Sequence, residues 1–493
     1  MRPHLAALLA AEVGIWFIAS ELPDAHFAGF RLLAQLGLVG LGIALAAGVA
    51  AGFGARFVRL RGWHVAVVAI AVQALVFGLP QAQPDTLTYF VQAQHFARAP
   101  LETLASWPAE VWSRDEARFH KPFPLIPAIY GAAFALFGET RLVADLVRAL
   151  LALSVPAATW RLGRALQVDG AGAALVVATL PLLCAQSAWI LVDLPLIALL
   201  CVAWTAWLER RWGLFAAAGL LALSAKFSAV LFLAAPIAFH EGRRLHPALL
   251  GALAALALGM LMALKPPFWR DDLGTYGFAL GALALGLRPA LLAGRPDRFT
   301  LGALLTLPLL LLYAPAEHLA RYALPLVPLL AIRVEAMEWP PLAPALAASG
   351  LALFLFGHLP LLRHNQAANL QRAAEHLDDF ERVAVYGDLP STTFPTAGIA
   401  GLLDLETETP VVLGSTYRQA PPEDKRHWWE FYEAPPWHAP APADGAVLAL
   451  YGGDREAFVA EHPEAVELTS IRDYEASSWL LPREVVVYRL KAR

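Results

Sequence analysis

Apolar residues in this chain arrive in runs of about 15 to 25, broken by short polar clusters, and that pattern limits the fold more than any other feature. A helix needs about 20 apolar residues to cross the hydrocarbon layer of a bilayer, and here such runs follow one another along most of the sequence. Composition agrees: 58% of the 493 residues are hydrophobic and 16% are charged, against about a quarter charged in soluble domains. The chain reads as a polytopic α-helical membrane protein. A nucleic-acid-binding protein and a secreted disulfide scaffold are excluded. Cys184 and Cys201 both fall inside apolar runs and say nothing about redox compartment.

Charge divides the chain in two. From Asn365 to Arg493 there are 21 acidic and 11 basic residues, whereas the preceding part has 20 acidic and 26 basic ones. A sparsely charged, net-positive transmembrane domain over 1–364 is therefore followed by an acidic soluble domain over 365–493. In the second part, strand-like runs Val383–Tyr386, Val411–Leu413, Val447–Tyr451 and Val485–Tyr488 alternate with polar or helical stretches, as in a small α/β or α+β domain. The aromatic group Trp428, Trp429, Phe431, Tyr432 and Trp437 suits an interfacial belt or the core of that domain.

Arginines set the expected topology, because cytoplasmic loops carry the excess of positive charge. They cluster at Arg56–Arg61, Arg161 with Arg164, Arg210 with Arg211, Arg243 with Arg244, Arg288–Arg298 and Arg333. With these inside, spans are expected at 5–20, 30–54, 63–80, 142–160, 173–190, 194–208, 213–225, 228–239, 247–263, 275–290, 300–314, 322–334 and 341–359. That is about 13 crossings, with the N-terminus cytoplasmic and the C-terminal domain external. Residues 213–239 begin and end inside, so they form two short helices with Ser224, Lys226 and Ser228 near the tip. Leu125–Phe137 is too short to span and reads as a juxtamembrane or re-entrant helix. It follows an external loop over 81–124 that is far longer than a connector needs to be.

Ionisable groups at membrane depth are expensive and each needs a partner or a task. Several gather at the expected outer face: Asp85 and Tyr89 where the long loop opens, His120 and Lys121 where it closes, Asp193 at a span end, Lys226 at the hairpin tip, and Glu317, His318, Arg321 and Tyr322 near another span end. Before residue 365 the only lysines are Lys121, Lys226 and Lys265, and all three are expected outside, against the positive-inside tendency. Carboxylates beside fixed cations suit general-base activation of a hydroxyl and stabilisation of a departing phosphate. Structural readings stand beside these. Asp85 and Asp193 also suit helix caps, Lys226 and Arg321 also suit snorkelling, and Arg141, Asp145 and Arg148 have the spacing of an ion-pair cluster within one helix.

The order of these features resembles the GT-C class of membrane glycosyltransferases, in the branch containing protein O-mannosyltransferases and lipid A aminoarabinose transferases. Five stretches carry the resemblance. They are Pro84-Asp85-Thr86-Leu87-Thr88-Tyr89; Phe119-His120-Lys121-Pro122-Phe123-Pro124 leading to Leu136-Phe137-Gly138; Asp193-Leu194-Pro195-Leu196; Leu223-Ser224-Ala225-Lys226; and Glu317-His318-Leu319-Ala320-Arg321-Tyr322 before Pro325 and Pro328. Thr86 stands where many members have Glu, Asp145 where an Arg is common, and two extra spans precede the usual first helix.

The resemblance implies an inverting transfer of a sugar from a polyprenyl-phosphate carrier to a lipid, glycan or protein acceptor at the outer face of the bacterial inner membrane. It implies Asp85 as general base, Asp193 as a second catalytic carboxylate that orients a sugar hydroxyl or shares in metal binding, and Lys121, Lys226 and Arg321 around the carrier phosphate. Tyr89, His120, Glu317, His318 and Tyr322 are secondary candidates. Asp85 and Asp193 would also suit a divalent ion, Mg²⁺ or Mn²⁺. A transporter or flippase of lipid-linked sugars is the competing reading; it would need discontinuous helices repeated in two halves.

Overall fold

The computed structural model describes residues 46–51, 54, 60–79, 84–104, 124–226, 228–241, 299, 306, 324–336, 342–363, 367–377, 380, 383–385, 403, 407, 409, 411–413, 459–460, 463, 465–472 and 484–490. The expected spans at 5–20, 247–263 and 275–290, most of 30–54, and all of 300–314 but residue 306 lie outside the described residues.

In chain order the described helices are α1 (Gly62–Val76), α2 (Pro84–Arg98), α3 (Leu125–Phe137), α4 (Arg141–Ala165), α5 (Ala171–Ala178), α6 (Pro181–Gln186), α7 (Asp193–Leu208), α8 (Trp212–Ala225) and α9 (Ala229–Glu241). A 3₁₀ turn at Leu324–Leu326 leads into α10 (Val327–Glu335). Then come α11 (Leu342–Leu353), a π-helical turn at Phe354–His358, α12 (Leu359–Arg363) and α13 (Ala367–Ala374). Among the described residues α4 alone is long and apolar enough to cross a membrane; its 25 residues reach about 38 Å at 1.5 Å per residue.

The expected span at 173–190 is not one helix. α5 stops after 8 residues and α6 adds 6, because Pro181 holds Leu180 in an extended conformation (φ −64°, ψ 123°) and removes a backbone donor. The Thr179 hydroxyl bonds back to the Leu175 carbonyl at 2.9 Å. The expected span at 341–359 is helical throughout, running from Leu342 through a π-helical turn at Phe354–His358 to Arg363. The short hairpin appears as α8 and α9 with Lys226 between them, and α3 has the expected boundaries. α3 ends where Gly138 takes φ +96°, a conformation that suits glycine, and returns its N–H to the Phe134 carbonyl.

The bundle has two distinguishable ends. At one, Gly62 packs on Trp160, Arg161 pairs with Glu209, and Glu335 accepts from the N–H groups of Gly172 and Ala173, both at 3.0 Å. A side chain from α10 thereby caps the bare N-terminus of α5. The arginines expected to share a side (Arg61, Arg161, Arg211 and Arg333) collect here, at the ends of α1, α4, α7, α8 and α10. At the other end, the C-terminus of α1, the N-termini of α2, α4 and α7, and the α8–α9 turn come together.

The C-terminal part contributes β1 (Val383–Val385), parallel to β2 (Val411–Leu413), and β3 (Ala465–Arg472), antiparallel to β4 (Glu484–Leu490) in a register from Ala465↔Leu490 to Arg472↔Glu484. Three of the four expected strands are present. Val447–Tyr451 lies outside the described residues, and β3, with Val466, Glu467 and Leu468 exposed, was not expected as a strand. α13 packs on β3 and β4, and Gln371 of α13 donates to the Gly78 carbonyl at 3.4 Å. The C-terminal part therefore meets the end of the bundle at which the candidate residues gather.

Candidate functional site

The site is assembled on the loop between α6 and α7. Buried ionisable groups anchor the start of that loop. Arg148 is 1% exposed; it pairs with Asp145 Oδ1 at 2.9 Å, donates to the Val76 carbonyl at 3.2 Å and donates to the Ser187 carbonyl. Asp145 Oδ2 accepts the Gly78 N–H at 3.2 Å, and Arg141 donates to the carbonyls of Gly78 and Leu79. The Ser187 hydroxyl accepts from Gln73 at 3.1 Å and donates to the Cys184 carbonyl at 2.7 Å. The expected ion-pair cluster on α4 is present, and it reaches beyond its own helix to tie the end of α1 to the loop. A buried polar network of this kind holds its members in one arrangement.

The far end of the loop carries the candidate chemistry. The Ile190 carbonyl accepts from the Thr86 hydroxyl at 3.5 Å, which brings the first turn of α2 against the loop; Thr86 itself is fully buried. Asp193 opens α7 and is 1% exposed. Its Oδ1 lies 2.9 Å from Lys226 Nζ, whose side chain is 16% exposed. Lys226 ends α8 in an extended conformation (φ −160°, ψ 134°), with its N–H on the Ala222 carbonyl. That turn aims the ammonium across to α7 and not along its own helix. A desolvated pair like this stands at a low local dielectric, where fixed charge acts strongly on anything bound beside it.

Asp85 is the second residue of α2, next to Thr86, so its backbone adjoins the loop that leads to Asp193; its side chain lies outside the described residues. Tyr89 is buried one turn further along α2. Lys121 and His120, and Glu317, His318, Arg321 and Tyr322, lie outside the described residues. Sequence reasoning passed over Thr86 as a contact.

Among the described residues no three His, Cys, Asp or Glu side chains gather as a metal site. One oxygen of Asp193 already faces an ammonium. A carboxylate neutralised in this way fits a hard divalent ion poorly, since such an ion needs a shell of oxygen ligands.

No protein-family model and no curated protein matches the chain in sequence. Solved structures do match. ArnT from Cupriavidus metallidurans in the apo state superposes with a TM-score of 0.53 at 14% identity, covering 87% of this chain and 98% of that one. The chain folds like ArnT. A second ArnT structure from the same organism, bound to undecaprenyl phosphate, matches over the same shares with a TM-score of 0.50 at 14% identity. The ArnT likeness runs over nearly the whole of both chains, so it covers the bundle and more than the bundle. It identifies the architecture as that of a polytopic helical membrane protein, which agrees with the serial apolar runs.

Proposed function

We propose that the chain is an inverting GT-C glycosyltransferase that moves a sugar from a polyprenyl-phosphate carrier to an acceptor at the outer face of a bacterial inner membrane. The observation that carries this reading is the buried Asp193–Lys226 pair beside the first turn of α2, in a fold shared with a protein solved with undecaprenyl phosphate.

In the proposed reaction the Asp85 carboxylate takes the proton of an acceptor hydroxyl or amine. The freed lone pair attacks the anomeric carbon from the face opposite the phosphate, and the bond from that carbon to the phosphate oxygen breaks with its electrons going to the oxygen. A phosphodiester with one negative charge becomes a monoester with two, so fixed cations stabilise the departing group more than the bound donor. Lys226 supplies one of them, with Lys121 and Arg321 proposed as the others, and Asp193 holds Lys226 in place.

The test is a donor screen. The purified full-length protein is incubated with a panel of undecaprenyl-phosphate sugars and lipid A, and release of undecaprenyl phosphate is followed. Release with one donor, accompanied by glycosylated lipid A or by hydrolysed sugar, is expected. One observation favours the flippase reading: the interrupted α5–α6 span, since discontinuous helices serve transporters. Movement of intact lipid-linked sugar across vesicles without phosphate release would decide for it.

A further inference from the structure

A small cavity touches both ends of the loop that presents Asp193. Ser187 and Leu194 line it, together with Gln73 of α1 and Ala152 and Pro156 of α4. Its volume is about 20 Å³, room for one water, which needs about 10–15 Å³ on the same measure. The rest of the wall is apolar apart from the Cys184 thiol, which is turned to the Ala178 carbonyl at 3.4 Å.

Gln73 is 9% exposed, and its Oε1 has no hydrogen-bond partner among the described residues. Its neighbour fixes which way the amide points. A hydroxyl has one proton, and Ser187 gives its own to the Cys184 carbonyl at 2.7 Å. Towards Gln73 it can therefore only accept, from Nε2 at 3.1 Å, and Oε1 is turned away from Ser187. A second acceptor borders the same space. Pro156 has no N–H, so the carbonyl of Ala152, four residues earlier in α4, loses its usual helical donor. Two acceptors that lack their donors thus meet at one water-sized cavity. At membrane depth no bulk water reaches such groups, and leaving them unmet is costly.

We infer that this cavity is a water site, its occupant donating one proton to Gln73 Oε1 and the other to the Ala152 carbonyl, and that Gln73 is a positioning residue for the loop that presents Asp193. A water has two protons to give, and the two acceptors take both. Braced by the water on one side, the Gln73 amide holds the Ser187 hydroxyl on the other. Arg148 holds the Ser187 carbonyl, so the loop starts from a residue fixed at two atoms. It ends at Asp193, whose neighbour Leu194 lines the same cavity. A lipid chain in the cavity would leave both acceptors unmet. The water site stands on the cavity alone, whereas the effect of Gln73 on turnover rests on the transferase reading.

A structure of the full-length protein at a resolution that shows ordered water tests the site directly. One water within hydrogen-bond distance of both Gln73 Oε1 and the Ala152 carbonyl is expected; an apolar occupant, or no ordered density there, overturns the inference. Thermal melts read the same site by sign. In a dry cavity Ala152→Val fills a void and raises the melting temperature, whereas at a water site it expels the water, strands Gln73 Oε1 and lowers it. Crowding would lower it too, so the substitution is repeated in Gln73→Met, where no amide oxygen remains to be stranded. The expected loss in that background is at most about half the loss in wild type; a rise in wild type, or equal losses in both, overturns the water site. For positioning, Gln73→Met is expected to lower kcat for undecaprenyl phosphate release about tenfold with the donor KM within about twofold of wild type, a split that lost stability alone would not produce. An unchanged kcat overturns the positioning role. No release by wild type with any donor overturns the transferase reading and the positioning role with it, and the structure and the melts then decide the water site.

Discussion

Asp193 and Lys226 show what a single buried charge pair contributes. Separating such a pair by deleting one partner leaves an uncompensated charge in a dry site, at a cost of about 3–5 kcal/mol, whereas replacing both partners is far milder. Lys226→Met should therefore lower the melting temperature measurably and abolish sugar transfer. Combining it with Asp193→Leu should recover most of the stability and none of the transfer. A double variant that regains turnover would show the pair to be only structural. Asp85→Asn should stop transfer with expression and melting temperature unchanged, because the substitution removes the base at nearly constant side-chain volume; near-normal turnover would remove the base assignment. Both acids and the lysine stand out in the sequence, since charges in apolar runs are costly. That Asp193 faces Lys226, 33 positions away, depends on how α7 and α8 cross.

At the scale of elements, α3 was legible in full: a short apolar run, Pro124 before it and Gly138 after it leave little freedom in where a helix starts and stops. The interrupted span was legible in principle. Pro181 is in the sequence, but apolar length outweighed it, since length alone does not distinguish one helix from two short ones laid end to end. β3 escaped notice because it buries no apolar face: Val466 and Leu468 are as exposed as Glu467 and Ser470. How α2 lies on α3 came only from the structure. At that crossing Gly131 has no room for a Cβ, which would come within 2.7 Å of Phe96 Cβ. Gly131→Ala should lower the melting temperature by an amount corresponding to about 1–3 kcal/mol and slow transfer by shifting α2. Gly219→Ala is the control: there a Cβ meets only Leu233, at an ordinary 3.6 Å, and helix propensity favours alanine. Thermal melts of both variants check this.

For the whole molecule, the α4 ion cluster and the Gln371–Gly78 contact join the C-terminal part to the end of the bundle that holds the candidate site. If that part covers the site or selects the acceptor, deleting 365–493 should raise the ratio of sugar released to water over sugar transferred to lipid A. An unchanged ratio would leave it a structural cap.

The sequence by itself determined the medium and the inventory. Serial apolar runs of bilayer length dictate a helical membrane protein, and the scarcity of charge marks the residues that need explaining. Tertiary structure alone decided the partnerships. Asp193 with Lys226, Thr86 with the Ile190 carbonyl, Arg148 with the ends of α1 and α6, and Glu335 with the start of α5 join positions 33 to 163 residues apart. Hydrophobic burial fixes only that each helix has neighbours. Which neighbours, and at what rotation, depends on close packing of specific side chains and on pairing every buried polar group, and both are properties of the assembled bundle.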